Sequence, residues 1–204
     1  MCNLLKQTGI SNGRNKCYTL FINEITADFT SVPKMKPSEY VKFCWDKYMI
    51  FCNHSPQGNS MNGNIFELII ASEMYRQSLC PMYLQAMVAF VPNVKFDILL
   101  YSLDQFPIGL SLKTSLRERY KQADLEAIAL KYVHRKALNY LITLDSDEAQ
   151  NVKQKAQRGE LLGINDVIVA DSGDFDDLIN DLLKMEFINP GEIKIITDGT
   201  IVTK

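Results

Sequence analysis

Two apolar runs dominate the middle of the chain, FDILLYS from Phe96 and PIGLSLK from Pro107, and each carries one ionisable residue, Asp97 and Lys113. Strand alternation places Phe96 and Ile98 on one side of the first run, with Asp97 and Leu99 on the other. In the second run Ser111 and Lys113 share a side, opposite Leu112. A charged group on a buried strand needs a counter-charge or hydrogen bonds, because desolvation alone is costly. Fifteen residues lie between Asp97 and Lys113, enough for a strand, a turn through SLDQFPIG and a returning strand. Pairing those strands brings the two side chains together at one end of a sheet. Such a pair is either a structural ion bridge or a carboxylate for a hard divalent ion beside a lysine that assists phosphate chemistry.

The rest of the pattern supplies a frame for that pair. A helix is expected over 37–52, with Pro37 in its first turn, and a second over 64–79 after the turn-rich loop NHSPQGNSMNGN. Strands follow over 84–92, 94–102 and 107–115, then an amphipathic helix over 117–137. Beyond it come a strand at 139–144, a polar helix at 148–159, a strand at 166–171 and an acid-started helix at 174–185. IKIITDGTIVT, 193–203, reads as a hairpin about Asp198-Gly199. Residues 1–35 are polar around a strand-like YTLFI at 18–22. This order predicts one α/β domain over 1–204, with a mixed central sheet flanked by helices. Within it, 1–61 forms a helical or partly irregular N-terminal region and 62–145 the catalytic core.

With 204 residues, 47% of them hydrophobic, the chain has material for one substantial core. No apolar run is long enough to span a membrane, and the N-terminus lacks a secretory signal pattern. The five cysteines (Cys2, Cys17, Cys44, Cys52 and Cys80) show neither a disulfide framework nor CxxC spacing. They are expected to be reduced, which places the protein in the cytoplasm. His54 and His134 complete no zinc pattern.

The net charge of -2 gives no global attraction to nucleic acid. Charge is segregated, however. Between Lys113 and Lys136 seven basic residues face three acidic ones, whereas 171–181 is acidic. A basic face of this kind suits either a polyanion or a solvated helix surface.

Asp97 followed by Ser111-Leu112-Lys113 resembles the PD-(D/E)xK nuclease motif, which is well represented among type II restriction endonucleases. GNIFE (63–67) and KTSLRERYKQ (113–122) are similar to segments of those enzymes, and the likeness extends over about residues 62–145. Phe96 stands where the family usually has proline, and Ser111 where it usually has Asp or Glu. The resemblance implies a restriction-endonuclease-like core and Mg²⁺-dependent hydrolysis of double-stranded DNA. It implies further that Asp97 and the Leu112 carbonyl hold metal, that Lys113 serves the attacking water, and that an acid from elsewhere replaces the one missing at Ser111.

Two acids match positions that family members use, Glu67 on the preceding helix and Glu126 on the following one. Each has another reading. Glu67 fits a reciprocal cap with Asn64, and Glu126 fits a pair with Arg119 or Lys131; Glu118 is a third acid near the strand. Ser111 is then a hydrogen-bonding group or a small neighbour of the site. Arg117, Arg119, Lys121 and Gln122 are the candidate DNA contacts, or else an exposed helix face. A homodimer is implied, its two-fold axis matching a palindrome. The competing functions are a structure-selective repair nuclease and a noncatalytic α/β interaction protein with a structural Asp97–Lys113 bridge.

Overall fold

The computed structural model describes residues 4–104, 106–190 and 195–204. Cys2 lies outside the described residues, and the other four cysteines are free thiols. Six strands form one mixed sheet: β1 (Met82–Val88), β2 (Phe96–Tyr101), β3 (Pro107–Lys113), β4 (Leu138–Thr143), β5 (Asp166–Val169) and β6 (Ile196–Val202). Their order is β5-β4-β3-β2-β1-β6. β6, β1, β2 and β3 pair antiparallel, whereas β3, β4 and β5 run parallel. The parallel pairs require crossovers, and α5 (Arg119–Val133) and α6 (Ser146–Gln157) provide them.

Alternation along the central strands divides the core in two. Ile98, Leu100, Ile108, Leu110, Leu112 and Ile142 pack under α3 (Pro37–His54), α4 (Asn59–Arg76) and α7 (Gly173–Leu182). Leu99 and Leu141 point the other way, into clusters shared with α5 and α6. β3 is buried along its length up to Lys113, its half-buried last residue. A sheet covered on both faces leaves its strand ends as the accessible places for a polar site.

Two carboxylates fasten the crossovers to the strand ends. Asp124 of α5 accepts the amides of Leu162, Gly163 and Ile164, the closest at 2.8 Å from Gly163. Glu148 of α6 accepts those of Leu116 and Arg117, each at 2.6 Å. Gly163 is required where it packs. A Cβ there would lie 2.5 Å from both the Asp124 carbonyl oxygen and the Ile128 nitrogen.

Three expectations are corrected. YTLFI is helical: α1 (Leu4–Gln7) precedes α2 (Lys16–Leu20), which runs into a π-helical turn at Phe21–Ile25. Asn15 caps α2 by accepting the Tyr18 amide at 2.8 Å. Cys17, Tyr18, Phe21 and Ile25 then bury one helical stripe, which outweighs their strand propensity.

The helix expected over 64–79 begins at Asn59, so Asn64 and Glu67 are interior residues and the reciprocal cap does not form. Tertiary contacts recruit the extra turn. The Tyr48 hydroxyl donates to Asn62 Oδ1 at 2.6 Å, and the Cys17 and Met61 sulfurs lie 3.2 Å apart.

The C-terminal hairpin is instead a single strand, β6, lying along β1. Asp198-Gly199 sits mid-strand, with Gly199 at φ +134°. Leu84 pairs with Thr200 and Met87 with Asp198, so β1 carries one residue more than β6 in that interval. The glycine therefore serves a bulge rather than a turn. It lies against Ala86, whose Cα would be 3.1 Å from an added Cβ.

Candidate active site

The site grows from the end of the β2–β3 pair. Register pairs run from Tyr101↔Pro107 to Ile98↔Leu110. One residue further, the Asp97 side chain bridges the strands. Its Oδ2 accepts the Leu112 N–H at 2.7 Å and the Lys113 ammonium at 3.0 Å. The side chains of Lys113 and Asp97 are 18% and 14% exposed, so the pair sits at the rim rather than sealed in the core. Ser111, buried, lies on the same side of β3 as Lys113.

Glu67 arrives from α4. It is linked to Asp97 through Gln85 of β1, whose Nε2 donates to Glu67 Oε2 at 2.8 Å and, more weakly, to Asp97 Oδ1 at 3.4 Å. Two carboxylates thus converge on one amide. Gln85 reaches them because it occupies the β1 bulge with φ +52°, a left-handed conformation that costs a non-glycine residue about 1–2 kcal/mol. Bulges commonly re-aim a side chain in this way. Burial, and next the negative charge of Asp97, push the Glu67 carboxyl up to about 7, against the opposing pull of Gln85, Lys113 and Lys95. Burial beside a like charge is one of the arrangements by which functional sites raise a carboxyl.

Glu67, Gln85 and Asp97 line a cavity of about 590 Å³ together with Asn64 and with Lys6 and Asn12 of the N-terminal segment. The N-terminal region is therefore a wall of the site. Among the described residues no three His, Cys, Asp or Glu side chains gather as a metal-binding group. The acidic donors are two, Glu67 and Asp97, and both are hard oxygen ligands of the kind Mg²⁺ prefers. Ionising both brings like charges together with only Lys113 directly paired, an arrangement that a divalent cation would relieve. The residues fit such an ion.

The remaining sequence candidates lie on or near α5. Glu126 is half-buried and accepts the Gln122 amide at 2.7 Å. It makes no bond to Asp97, Lys113 or Glu67. Lys121 is exposed and pairs with Glu118 on the surface. Arg119 and Arg117 are exposed, and Arg117 has φ +37°. Among the described residues neither arginine makes a salt bridge. The structure thus joins Asp97, Leu112, Lys113 and Glu67, and brings none of the α5 candidates into contact with that group. Gln85 went unremarked in the sequence, although the signal that marks Asp97, a lone polar residue in an apolar strand, was present there too.

The sequence matches no protein-family model. It also matches no curated protein. The structure aligns with the restriction endonuclease PspGI, solved in complex with substrate DNA, over 86% of this chain and 78% of that one. The TM-score is 0.52 and the sequence identity 18%. The fold is restriction-endonuclease-like. Metal-depleted Ecl18kI, solved with uncleaved, modified DNA, aligns over 72% of this chain and 52% of its own, at TM-score 0.43 and 19% identity.

Within the restriction-endonuclease-like fold of this chain, Asp97 and Lys113 sit where a central antiparallel strand pair opens. Three connections meet at that end: the loop before Phe96, the loop after Lys113 and the bulge at Gln85. No helix among the described residues is long and apolar enough to cross a membrane.

Proposed function

We propose that the protein is a Mg²⁺-dependent endonuclease that hydrolyses phosphodiester bonds in double-stranded DNA, of the type II restriction kind. The observation that carries this reading is the Asp97–Lys113 pair joined through Gln85 to a second carboxylate, Glu67, whose ionisation the site resists. A structural salt bridge needs no second acid held within the same cluster. The likeness in fold to PspGI, a restriction endonuclease bound to substrate DNA, supports the same direction.

Glu67, Asp97 and the Leu112 carbonyl would hold the metal, with Glu126 the alternative acid. When bound, the ion supplies positive charge that polarises the phosphodiester. Lys113 does the chain's own share of the chemistry. Asp97 occupies one of its three N–H donors, and the others, which no group among the described residues occupies, would orient water and meet charge developing on phosphate oxygen. Water attacks phosphorus in line with the leaving O3′. A new P–O bond forms, the P–O3′ bond breaks, and the water's proton is released as O3′ is protonated. The products are a 5′-phosphate and a 3′-hydroxyl.

Arg117, Arg119, Lys121 and Gln122 flank Lys113 and would contact the DNA backbone. Ser111, beside Lys113, would steady the strand end. Cleavage of both strands calls for two sites, so the working unit is a homodimer on a palindromic sequence, in the cytoplasm.

The test is incubation of the protein with methylation-free plasmid and phage DNA in Mg²⁺ or EDTA, beside Lys113→Ala. Discrete Mg²⁺-dependent fragments, lost in a folded Lys113→Ala protein, are the expected result. Preference for nicked or branched substrates would move the reading to a repair nuclease. Absence of cleavage with every divalent ion and substrate would overturn it.

A further inference from the structure

Glu148 occupies the third position of α6, where an acid ordinarily folds back onto the helix cap. Half of that motif is present, since the Asp145 carboxylate accepts the Glu148 N–H at 3.0 Å. The Glu148 side chain turns away instead. Its Oε2 accepts two successive amides from another element, Leu116 and Arg117, each at 2.6 Å. These residues belong to the loop that joins Lys113 to α5.

The grip holds an otherwise unfavourable backbone. Leu116 is fully buried, whereas Arg117 next to it is exposed with φ +37°. Left-handed conformations in residues other than glycine persist only where the surroundings impose them, and they concentrate at functional sites. Two charge-assisted bonds from one carboxylate oxygen are such an imposition. The Arg119 N–H to Leu116 carbonyl bond, at 2.6 Å, closes the loop on its far side. Arg117 is thereby fixed four residues beyond Lys113 with its guanidinium in solvent, and among the described residues it makes no salt bridge.

We propose that Glu148 is a positioning residue: by clamping the Leu116 and Arg117 amides it presents Arg117 to a DNA phosphate adjoining the one Lys113 addresses. The proposal rests on the nuclease reading above. Glu148 acts through Arg117 and does not itself touch substrate.

The test is duplex binding in EDTA, where cleavage does not intervene, across a range of salt concentrations. The proteins are wild type, Arg117→Ala, Glu148→Ala, the double variant and Glu148→Gln, each checked for folding by its melting transition. Arg117→Ala is expected to weaken binding several-fold and to lower the salt slope of log K by about one. Glu148→Ala should reproduce both effects, the double variant should be no worse than either single one, and Glu148→Gln, a neutral acceptor, should keep part of the binding. Additive losses, or a lowered melting temperature with the salt slope unchanged, would overturn the positioning role. If Glu148→Ala does not fold, Glu148→Gln alone decides, since a clamp predicts a slope between those of wild type and Arg117→Ala. Wild type that binds no duplex would instead bring down the nuclease reading and this proposal with it. Wild type that binds with a slope indifferent to Arg117 would bring down only the latter.

Discussion

Asp97 Oδ2 accepts the backbone amide of Leu112 at 2.7 Å and the ammonium of Lys113 at 3.0 Å, so one oxygen fixes both the strand end and the lysine it carries. β2 and β3 register as far as Ile98↔Leu110, and from there the Asp97 side chain takes over the connection. Its other oxygen faces the Gln85 amide and the cavity. The two oxygens therefore have different partners: Oδ2 holds the strand end and Lys113, and Oδ1 meets the Gln85 amide that leads to Glu67.

That division separates activity from stability. Lys113→Ala leaves Asp97 its Leu112 bond, and Asp97→Asn keeps an oxygen able to accept that amide. Loss of a rim pair costs about 1–2 kcal/mol, less than the figure for a fully buried one. For a chain of this size that corresponds to a few degrees in melting temperature. Loss of charge stabilisation at the reacting phosphate costs about 10²–10³-fold in rate. Plasmid cleavage and thermal melts on both variants should show the large activity loss with the small shift in stability. A large shift in melting with cleavage per folded molecule unchanged would make the pair structural.

Two glycine substitutions should move stability in opposite directions. Gly163→Ala places a methyl group 2.5 Å from backbone atoms of α5, which cannot yield as a flexible side chain would, and it strains the amides held by Asp124. Overpacking of this kind costs about 1–3 kcal/mol or more. Gly63 lies inside α4 with nothing within 4 Å of a Cβ, so Gly63→Ala should gain about 0.5–1 kcal/mol from the higher helix propensity of alanine. Melting curves of the two variants decide both signs.

How much of this was readable beforehand depended on what each residue obeys. Strict alternation fails at Phe96, which packs with Leu99 while Ile98 joins the opposite cluster. Asp97 and Lys113 were legible all the same, because a lone charge in each of two apolar runs, and the spacing between the runs, are local properties. β4, β5 and α7 followed for the same reason. The α4 N-terminus did not, since Asn59, Ser60, Asn62 and Gly63 are poor helix formers and the turn is held by Tyr48 and Cys17 from other elements. Nor did β6: Asp198-Gly199 is the local signature of a turn, and only its pairing with β1 reveals a bulge. Gln85 depends on that same bulge. Its polarity stands out within LQAMV, but its left-handed φ is imposed by partners far along the chain.

Gln85 is consequently a place where strain and function should trade. Gln85→Gly relaxes the φ +52° backbone while deleting the amide that links Glu67 to Asp97. Gln85→Ala deletes the same amide and keeps the strain. The glycine variant is expected to be more stable than the alanine variant by about 1 kcal/mol. Both should lose about 10–100-fold in cleavage, the range seen when a residue that orients metal ligands is removed. Equal melting temperatures would argue against strain at Gln85, and unchanged cleavage would remove its amide from the site.

Glu67 makes stability depend on pH. Its carboxyl ionises near 4.5 in an unfolded chain and at about 7 in the native protein, first because it is buried and second because Asp97 is close. Between those values the native state holds the extra proton. The associated stability is present in full below about 4.5 and is lost as pH rises through about 7. At about 1.4 kcal/mol for each pH interval, the loss is on the order of 3 kcal/mol. Glu67→Gln stays neutral and escapes it. In EDTA the variant should therefore melt several degrees above wild type at pH 8, with the difference shrinking toward pH 5. Glu73, also raised to about 7, chiefly by burial, is common to both proteins and cancels. Mg²⁺ should raise the wild-type melting temperature at pH 8, above the Glu67 titration, and leave the variant nearly unmoved. Cleavage should be lost in Glu67→Gln at every pH. Parallel pH profiles for the two proteins would show that Glu67 does not carry this proton. Equal Mg²⁺ responses would show that Glu67 is not a ligand, and would move the second carboxylate to Glu126.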